Sequence, residues 1–280
     1  MLTKILIVAL TCALSPLPLL ACTLWGAAGA DVGEVGGGTL ISKNRDWAPD
    51  HHQVLKKVRP KKGWAYFGLF AEGNGDPGLK AGVNERGLTI VSASSSSLPR
   101  RVRDQQPDMH GVMVKILTDY ASVDALIANA DKVFSQSRAN FFLVSDHSKV
   151  LTVEVGLNGK YALKLNDSGT TTHTNHYLDP ELASQTPQKI GESSRTRFQR
   201  INSLLGQSTA PYTLAQFSGL SRDRNDGPDN SLWRNGKETT LASWIVATPT
   251  QGAPRLHVVL ANPGEAEVTH DLVLDEKFWK

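Results

Sequence analysis

The chain has 280 residues, 40% of them hydrophobic and 20% charged, with a formal net charge of +3. That composition suits a globular fold with one sizeable core or two small ones, and so small a net charge gives no reason to expect a nucleic-acid partner. Beyond the first 21 residues no apolar run approaches the roughly 18 residues needed to span a bilayer, so no membrane span is expected. At the start, Lys4 is followed by an apolar run over 5–14 and a short stretch ending in Ala21. A charged start, an apolar centre and a small residue at the cut read as a secretory signal peptide over 1–21, and hence a periplasmic or secreted product. Cleavage after Ala21 would leave a chain beginning Cys22-Thr23-Leu24-Trp25, with a thiol and a free α-amine on one residue. Leu19-Leu20-Ala21-Cys22 also approximates a lipobox, in which the Cys22 sulfur would carry a lipid and anchor the protein. The two outcomes exclude each other, because a thioether sulfur is no nucleophile and an acylated amine is no base. There are two cysteines, and Cys12 lies inside the apolar run. Cys22 would therefore remain alone, unable to form an internal disulfide and available as a reactive thiol.

From Cys22 to Ser94 the pattern is that of β-structure. A short apolar stretch over 23–28 is followed by Gly36-Gly37-Gly38 and then Thr39-Leu40-Ile41-Ser42, which predicts a hairpin returning toward Cys22. No helix follows these glycines, and no Gly-Lys-Ser/Thr appears, so they are not a phosphate-binding loop. A strand is expected over 64–70, then a turn at 83–88 with Gly87 in the permissive position, then a strand over 88–91. Residues 92–103 are Ser-rich and then basic, which predicts a solvated loop with Arg100, Arg101 and Arg103 exposed. Apolar residues at helical spacing follow over 112–127. Segments 140–144 and 150–155 bracket Ser145-Asp146-His147-Ser148 as a hairpin that 161–165 extends. A helix is expected over 191–205, a polar and turn-rich stretch over 206–237, and closing strands over 241–247, 256–260 and 272–274. With no repeat and no linker, 22–280 reads as one domain. Long alternating strands favour antiparallel sheets over a regular βαβ series.

Several segments, taken in order, resemble one superfamily. Cys22-Thr23 matches the start of mature choloylglycine hydrolases, penicillin V acylases and the related penicillin-biosynthetic acyltransferases. Lys43-Asn44-Arg45-Asp46-Trp47 resembles their Arg-Asn-x-Asp-x motif, with Trp47 suiting the acyltransferase branch. Gly82-Val83-Asn84-Glu85-Arg86-Gly87-Leu88 resembles their Gly-x-Asn-Glu-x-Gly-Leu segment. Thr174-Asn175-His176, Ser194-Arg195-Thr196-Arg197 and Asp229-Asn230-Ser231-Leu232-Trp233-Arg234 complete the series. The resemblance implies an α+β fold, a four-layer αββα N-terminal-nucleophile (Ntn) hydrolase sandwich with two mainly antiparallel sheets. It also implies attack by an N-terminal cysteine on a linear amide of a small N-acyl compound, with no cofactor and no metal.

The resemblance carries roles to particular residues. Cys22 would be nucleophile and, through its α-amine, base. Asp46 would orient that amine. Lys43 falls where the family has an arginine beside the thiolate, supplying charge without the planar fork; Arg45 is its alternative, expected on the opposite strand face. Asn175 would help stabilise the oxyanion, and Ser94 falls where choloylglycine hydrolases have a second asparagine. Arg197 matches the family arginine, with Arg195 in reserve. His51, His52, His173 and His176 lack the carboxylate company of a metal site and read as satisfied or surface histidines. No Gly-x-Ser-x-Gly elbow is present. The substrate (bile salt, penicillin, N-acyl lactone or N-acyl amino acid), hydrolysis against acyl transfer, and oligomeric state are not legible. The rival class is a lipid-anchored binding module; an enzyme whose Cys22 is exposed by autoproteolysis is the other variant.

Overall fold

Alternation along the first strand explains the layering. In β1 (Cys22–Ala28), Cys22, Leu24 and Ala28 join one buried cluster while Trp25 and Ala27 join another. Both faces of the strand are covered, so it must lie between two packed layers. The computed structural model describes residues 21–33, 36–73, 76–103, 111–208 and 211–280; the expected signal peptide, apart from Ala21, lies outside the described residues.

The remaining strands are β2 (Gly38–Trp47), β3 (His52–Val58), β4 (Tyr66–Glu72), β5 (Gly78–Asn84), β6 (Thr89–Ser94), β7 (Asn140–Ser145), β8 (Val150–Val155), β9 (Tyr161–Asn166), β10 (Gly169–His173), β11 (Thr239–Pro249), β12 (Arg255–Leu260) and β13 (Val268–Val273). They form two antiparallel sheets, ordered β10-β1-β2-β11-β12-β13 and β3-β4-β5-β6-β7-β8-β9. Between the sheets pack Leu24 and Ile41 from one side, Phe67, Leu69, Phe141 and Leu143 from the other. Outside the second sheet, Met113, Ile116 and Leu117 of the helix Val112–Asp119 cover Ile90, Phe142 and Val144. Outside the first, Ile201 and Leu205 of the helix Glu192–Gln207 and Phe217 of the helix Leu214–Ser221 cover Trp25 and Leu40. The result is helix, sheet, sheet, helix: the expected αββα sandwich. Among the described residues, no helix is long and apolar enough to cross a membrane.

Several segments depart from the sequence reading. The helical stretch over 112–127 is two helices, Val112–Asp119 and Val123–Ile127, because Ser122 caps the second by accepting from the Ala125 amide at 3.2 Å. The polar stretch 206–237 holds the helix Leu214–Ser221, which a Thr213/Gln216 capping box starts. The Ser-rich stretch after β6 is not a solvated loop. Ser95, Ser97, Leu98 and Arg103 are buried, and the Ser95 hydroxyl donates to the Ala139 carbonyl at 2.9 Å. Arg100 and Arg101 are exposed, as expected.

The turn between β5 and β6 shows why the Gly-x-Asn-Glu-x-Gly-Leu segment is built as it is. Asn84 is fully buried. Its Oδ1 accepts from the amides of Arg86 and Leu88, both at 3.0 Å, and its Nδ2 donates to the carbonyls of Leu117 (2.8 Å) and Tyr120 (2.9 Å). One side chain thus closes the turn and pins the end of an outer helix. Gly87 sits at φ +80, and a Cβ there would meet His147 Nε2 at 2.5 Å. We predict that Asn84→Ala lowers unfolding stability by about 3 kcal/mol in urea titrations, since several buried backbone groups lose their partner. A loss below about 1 kcal/mol would mean that water replaces those bonds.

Candidate active site

Cys22 opens β1, paired antiparallel to β2 with Cys22 opposite Arg45 and Leu24 opposite Lys43. Residues two apart on a strand share a face, so Ile41, Lys43 and Arg45 look toward the inter-sheet space while Asn44 and Asp46 look toward the helices. The expectation that Arg45 turns away from Lys43 is therefore corrected: a step of two residues keeps the face. Cys22 is a free, buried thiol, and Lys43 Nζ approaches its Sγ to 3.5 Å while also donating to the Ser92 carbonyl. Burial pulls the Lys43 ammonium below the ordinary lysine range; Cys22 beside it pulls the other way, and Arg45 adds to the lowering. Of the two cations, Lys43 holds the thiol.

On the other side of Cys22, the chain leaving β10 delivers Asn175. Its Oδ1 accepts from the Cys22 amide at 3.1 Å and from Arg197 Nη2 at 2.9 Å, and its Nδ2 donates to the Ser94 carbonyl at 3.0 Å. Ser94 thus enters through its backbone oxygen. Asn175 is itself fixed at both backbone ends, its amide donating to Ser194 Oγ at 3.0 Å and its carbonyl accepting from the Ser97 amide at 3.0 Å.

Arg197 lies on the inner face of the helix Glu192–Gln207, in line with Ile201 and Leu205, and is fully buried. Arg195 on the same helix is exposed, so Arg197 is the arginine that reaches the site. Its Nη1 donates to the Cys22 carbonyl at 2.7 Å and to Thr23 Oγ1 at 2.8 Å, and its Nε donates to Ser193 Oγ at 3.2 Å. Burial lowers its pKa to about 10, with Asp46 opposing the shift.

Asp46 does not hold the Cys22 nitrogen. Still joined to Ala21, that nitrogen has a single hydrogen, which Asn175 takes. Asp46 instead accepts from Thr240 Oγ1 at 2.7 Å, and its Oδ2 has no partner among the described residues. Burial raises its pKa against the pull of Arg234, Arg197 and Lys43. The ladder between β2 and β11 shifts register between Thr240 and Ala242, opposite Asp46 and Arg45; such a bulge re-aims a side chain, here the Thr240 hydroxyl. Behind it a buried Arg234–Glu238 ion pair completes the layer, and burial raises Glu238 to about 7. Thr240, Glu238 and Ser193 were not singled out from the sequence. Their positions depend on a bulge and on a helix face, neither of which leaves a motif.

Of the four histidines considered for a metal, His51 packs against Trp47 and pairs with Asp50, while His176 bonds Ser194 Oγ at 2.8 Å and is held to about 4 by burial. His173 is buried and His52 exposed. Among the described residues no group of three or more His, Cys, Asp or Glu could hold a metal ion.

The fold is that of Ntn hydrolases. A cysteine-to-alanine variant of conjugated bile acid hydrolase from Clostridium perfringens matches with a TM-score of 0.51 and 13% identity, covering 91% of this chain and 98% of its own. An arginine-to-leucine variant of the same hydrolase matches with a TM-score of 0.53 and 15% identity, over 91% and 98%. No curated protein matches the chain in sequence. Residues 34–265 match the family model described as acyl-coenzyme A:6-aminopenicillanic acid acyl-transferase, and the chain belongs to that family. Cys22 lies ahead of the matched span, so its place in the site rests on the contacts above.

An ammonium at 3.5 Å favours the charged form of a sulfur. We predict that Lys43→Met slows alkylation of Cys22 by iodoacetamide at pH 7 by about tenfold, the equivalent of about 1.4 kcal/mol. An unchanged rate would show that the ammonium does not activate the sulfur.

Proposed function

We propose that this protein is an exported amidohydrolase whose domain, 22–280, uses Cys22 as an N-terminal nucleophile against a linear, non-peptide amide of a small N-acyl compound. The observation that carries this is the environment of one residue: a thiol beside a buried ammonium, its nitrogen bonded to Asn175 and its carbonyl to Arg197. A structural cysteine needs none of these. A small crevice beside Ala21, lined by Ser96, Ser97, Asn175, Ser193 and Arg197, supports cleavage after Ala21, since losing that residue opens the new amine to this space.

The chemistry follows from the groups present. The freed α-amine takes the thiol proton, and the thiolate attacks the amide carbon. Lys43 stabilises the thiolate, and Arg197 keeps Cys22 from swinging. The oxyanion that forms is met by the Asn175 amide, one of whose hydrogens is free of the Ser94 carbonyl. Collapse passes the proton from the α-ammonium to the departing amine and leaves a thioester. Water, activated by the same amine, releases the acid; a second amine in place of water would make the reaction an acyl transfer. Asp46 lies one strand away near this cluster of cations, whose pull opposes the rise that burial gives its pKa. No cofactor has a part.

The test is intact-mass analysis of the protein from its native envelope, followed by amide turnover. We expect a species beginning at unmodified Cys22 and located in the periplasm or medium, an acyl adduct on Cys22 in single turnover, and no turnover by Cys22→Ala. A diacylglyceryl mass on Cys22, or activity surviving Cys22→Ala, overturns the reading. Asn175→Ala should cost about 10²-fold in kcat, the usual effect of losing an oxyanion donor.

The pH profile has a predictable sign. Lys43 must be charged to help the sulfur, and burial lowers its pKa. Its charge is present below that lowered value and is lost as pH rises through it, sooner than for a solvated lysine. We therefore expect kcat/KM to fall on the alkaline side and Lys43→Arg to move that limb upward, because a guanidinium keeps its proton. A limb that does not move belongs to another group.

A further inference from the structure

Arg45 has no part in the reaction above, yet it is the residue directly opposite Cys22 in the β1–β2 ladder. Directly opposed side chains leave a sheet on one face, with Cβ atoms about 4.5–5.5 Å apart. The Arg45 side chain is 2% exposed. Its Cζ lies 4.2 Å from the centre of the Trp47 ring, and its Nη1 donates to the Asp46 carbonyl at 3.3 Å. Its Nε and Nη2 have no hydrogen-bond partner among the described residues.

Those two nitrogens are a matched pair. Nε–H and one N–H of Nη2 point in parallel along one edge of the guanidinium, the edge that receives both oxygens of a carboxylate. Stacking on Trp47 and the bond from Nη1 hold the plane, so the empty fork is oriented. The surroundings are cationic. Lys43 shares the strand face, and Lys80 of β5 on the facing sheet pairs with Asp76 at 2.6 Å. Arg45 acts electrostatically on Lys43, Asp76 and Lys80. Asp76 is taken by Lys80 and the Cys22 sulfur by Lys43, which leaves the Arg45 fork without an anion. Asn175 bonds the Cys22 nitrogen from the β10 side, and Arg45 lies opposite Cys22 on the β2 side.

We infer that Arg45 is a specificity residue that binds a carboxylate of the substrate, so the enzyme selects linear amides carrying a carboxylate close to the scissile bond. This rests on the amide-cleaving function proposed above. The carboxylate can sit on the amine half or on the acyl half of the substrate, and paired probes separate the two. The first pair is N-hexanoylglycine and its neutral amide, N-hexanoylglycinamide. The second is N-hexylsuccinamic acid and N-hexylbutanamide.

In wild type we expect kcat/KM for the acid of one pair to exceed that of its neutral partner by at least 30-fold. Arg45→Met, similar in length but without donors, should bring that ratio close to one, chiefly through KM; Arg45→Lys, with charge but no fork, should restore part of it. Circular dichroism checks that both variants fold. Acid and neutral members used equally in both pairs, or a ratio that survives Arg45→Met, overturns the assignment. If no probe is turned over, calorimetric binding of the four compounds to Cys22→Ala and to Cys22→Ala/Arg45→Met still decides. Acid-selective binding that disappears with Arg45 upholds the carboxylate site while the amide-cleaving reading falls. Binding that ignores the carboxylate, or is absent, overturns the site itself.

Discussion

The site depends on the guanidinium of Arg197. It comes from the outer helix layer, passes to the first sheet and donates to the Cys22 carbonyl, Thr23 Oγ1 and Asn175 Oδ1. Asn175 in turn holds the Cys22 nitrogen. One buried cation therefore fixes Cys22 from both its backbone ends, with Ser193 steadying the cation from one helical turn before. A flexible cation could not do this; the rigid fork of an arginine can. Burial draws its pKa down to about 10, which still leaves it charged near neutrality. The interaction that orders the site thus persists throughout the pH range in which a thiol and an amine exchange a proton.

The pleat of β2 sorts the remaining charges. Lys43 and Arg45 face the inter-sheet space where the sulfur lies, while Asn44 and Asp46 face the helices. Asn44 shows what the outward positions do: its Nδ2 donates to the carbonyls of Ser221 (2.9 Å) and Leu232 (2.7 Å), tying down the helix and loop that cover the sheet. Lys43-Asn44-Arg45-Asp46 is therefore two interleaved devices. The odd positions face the Cys22 sulfur and the even positions hold the scaffold. Asp46 couples the two at a distance, its charge felt at both Lys43 and Arg197.

Much of this was legible in the sequence. Strands with clean alternation or dense apolar runs, such as β1, β7 and β8, fall where the pattern puts them, and Cys22, Lys43, Asn175 and Arg197 come together in one site. What escaped has physical reasons. β13 carries Thr269-His270-Asp271 and lies at a sheet edge, where one side needs no apolar residues. β10, Gly169–His173, is Thr-rich and too short to show a period. The Ser-rich stretch after β6 reads as solvated because serine says nothing about burial; its small side chains are what allow the chain to pass close beside Asn175. Arg234 was part of a recognised segment, but its pairing with Glu238 and the Thr240 bulge are tertiary facts with no local signal. Arg195 and Arg197 are two residues apart, and only the register of Ile201 and Leu205 against the sheet says which one faces inward.

Unsatisfied buried polar atoms are few in native folds, and each calls for a reason. Among the described residues they are spread over the fold, and one group is local: Ser42 Oγ, Asn44 Oδ1, Arg45 Nε and Nη2, and Asp46 Oδ2 all lack partners within five consecutive residues of β2. The neighbouring strands β1 and β11 are more apolar, with Leu24, Ala27, Leu241 and Ile245, although Trp25 Nε1, Ser243 Oγ and Trp244 Nε1 on them also lack partners. Paired backbone on both edges keeps β2 in place despite this cost. It can therefore present charged groups whose partners are not part of the resting fold. Under the proposed function, an α-amine freed at Cys22 would be one such partner, gaining hydrogens that Asn175 alone cannot accept, and Asp46 stands one strand away with an oxygen that has no partner among the described residues. The substrate carboxylate proposed for Arg45 would be the other. The unpaired groups lie beside Cys22, and a group already satisfied by the protein would have nothing left to offer a bound molecule.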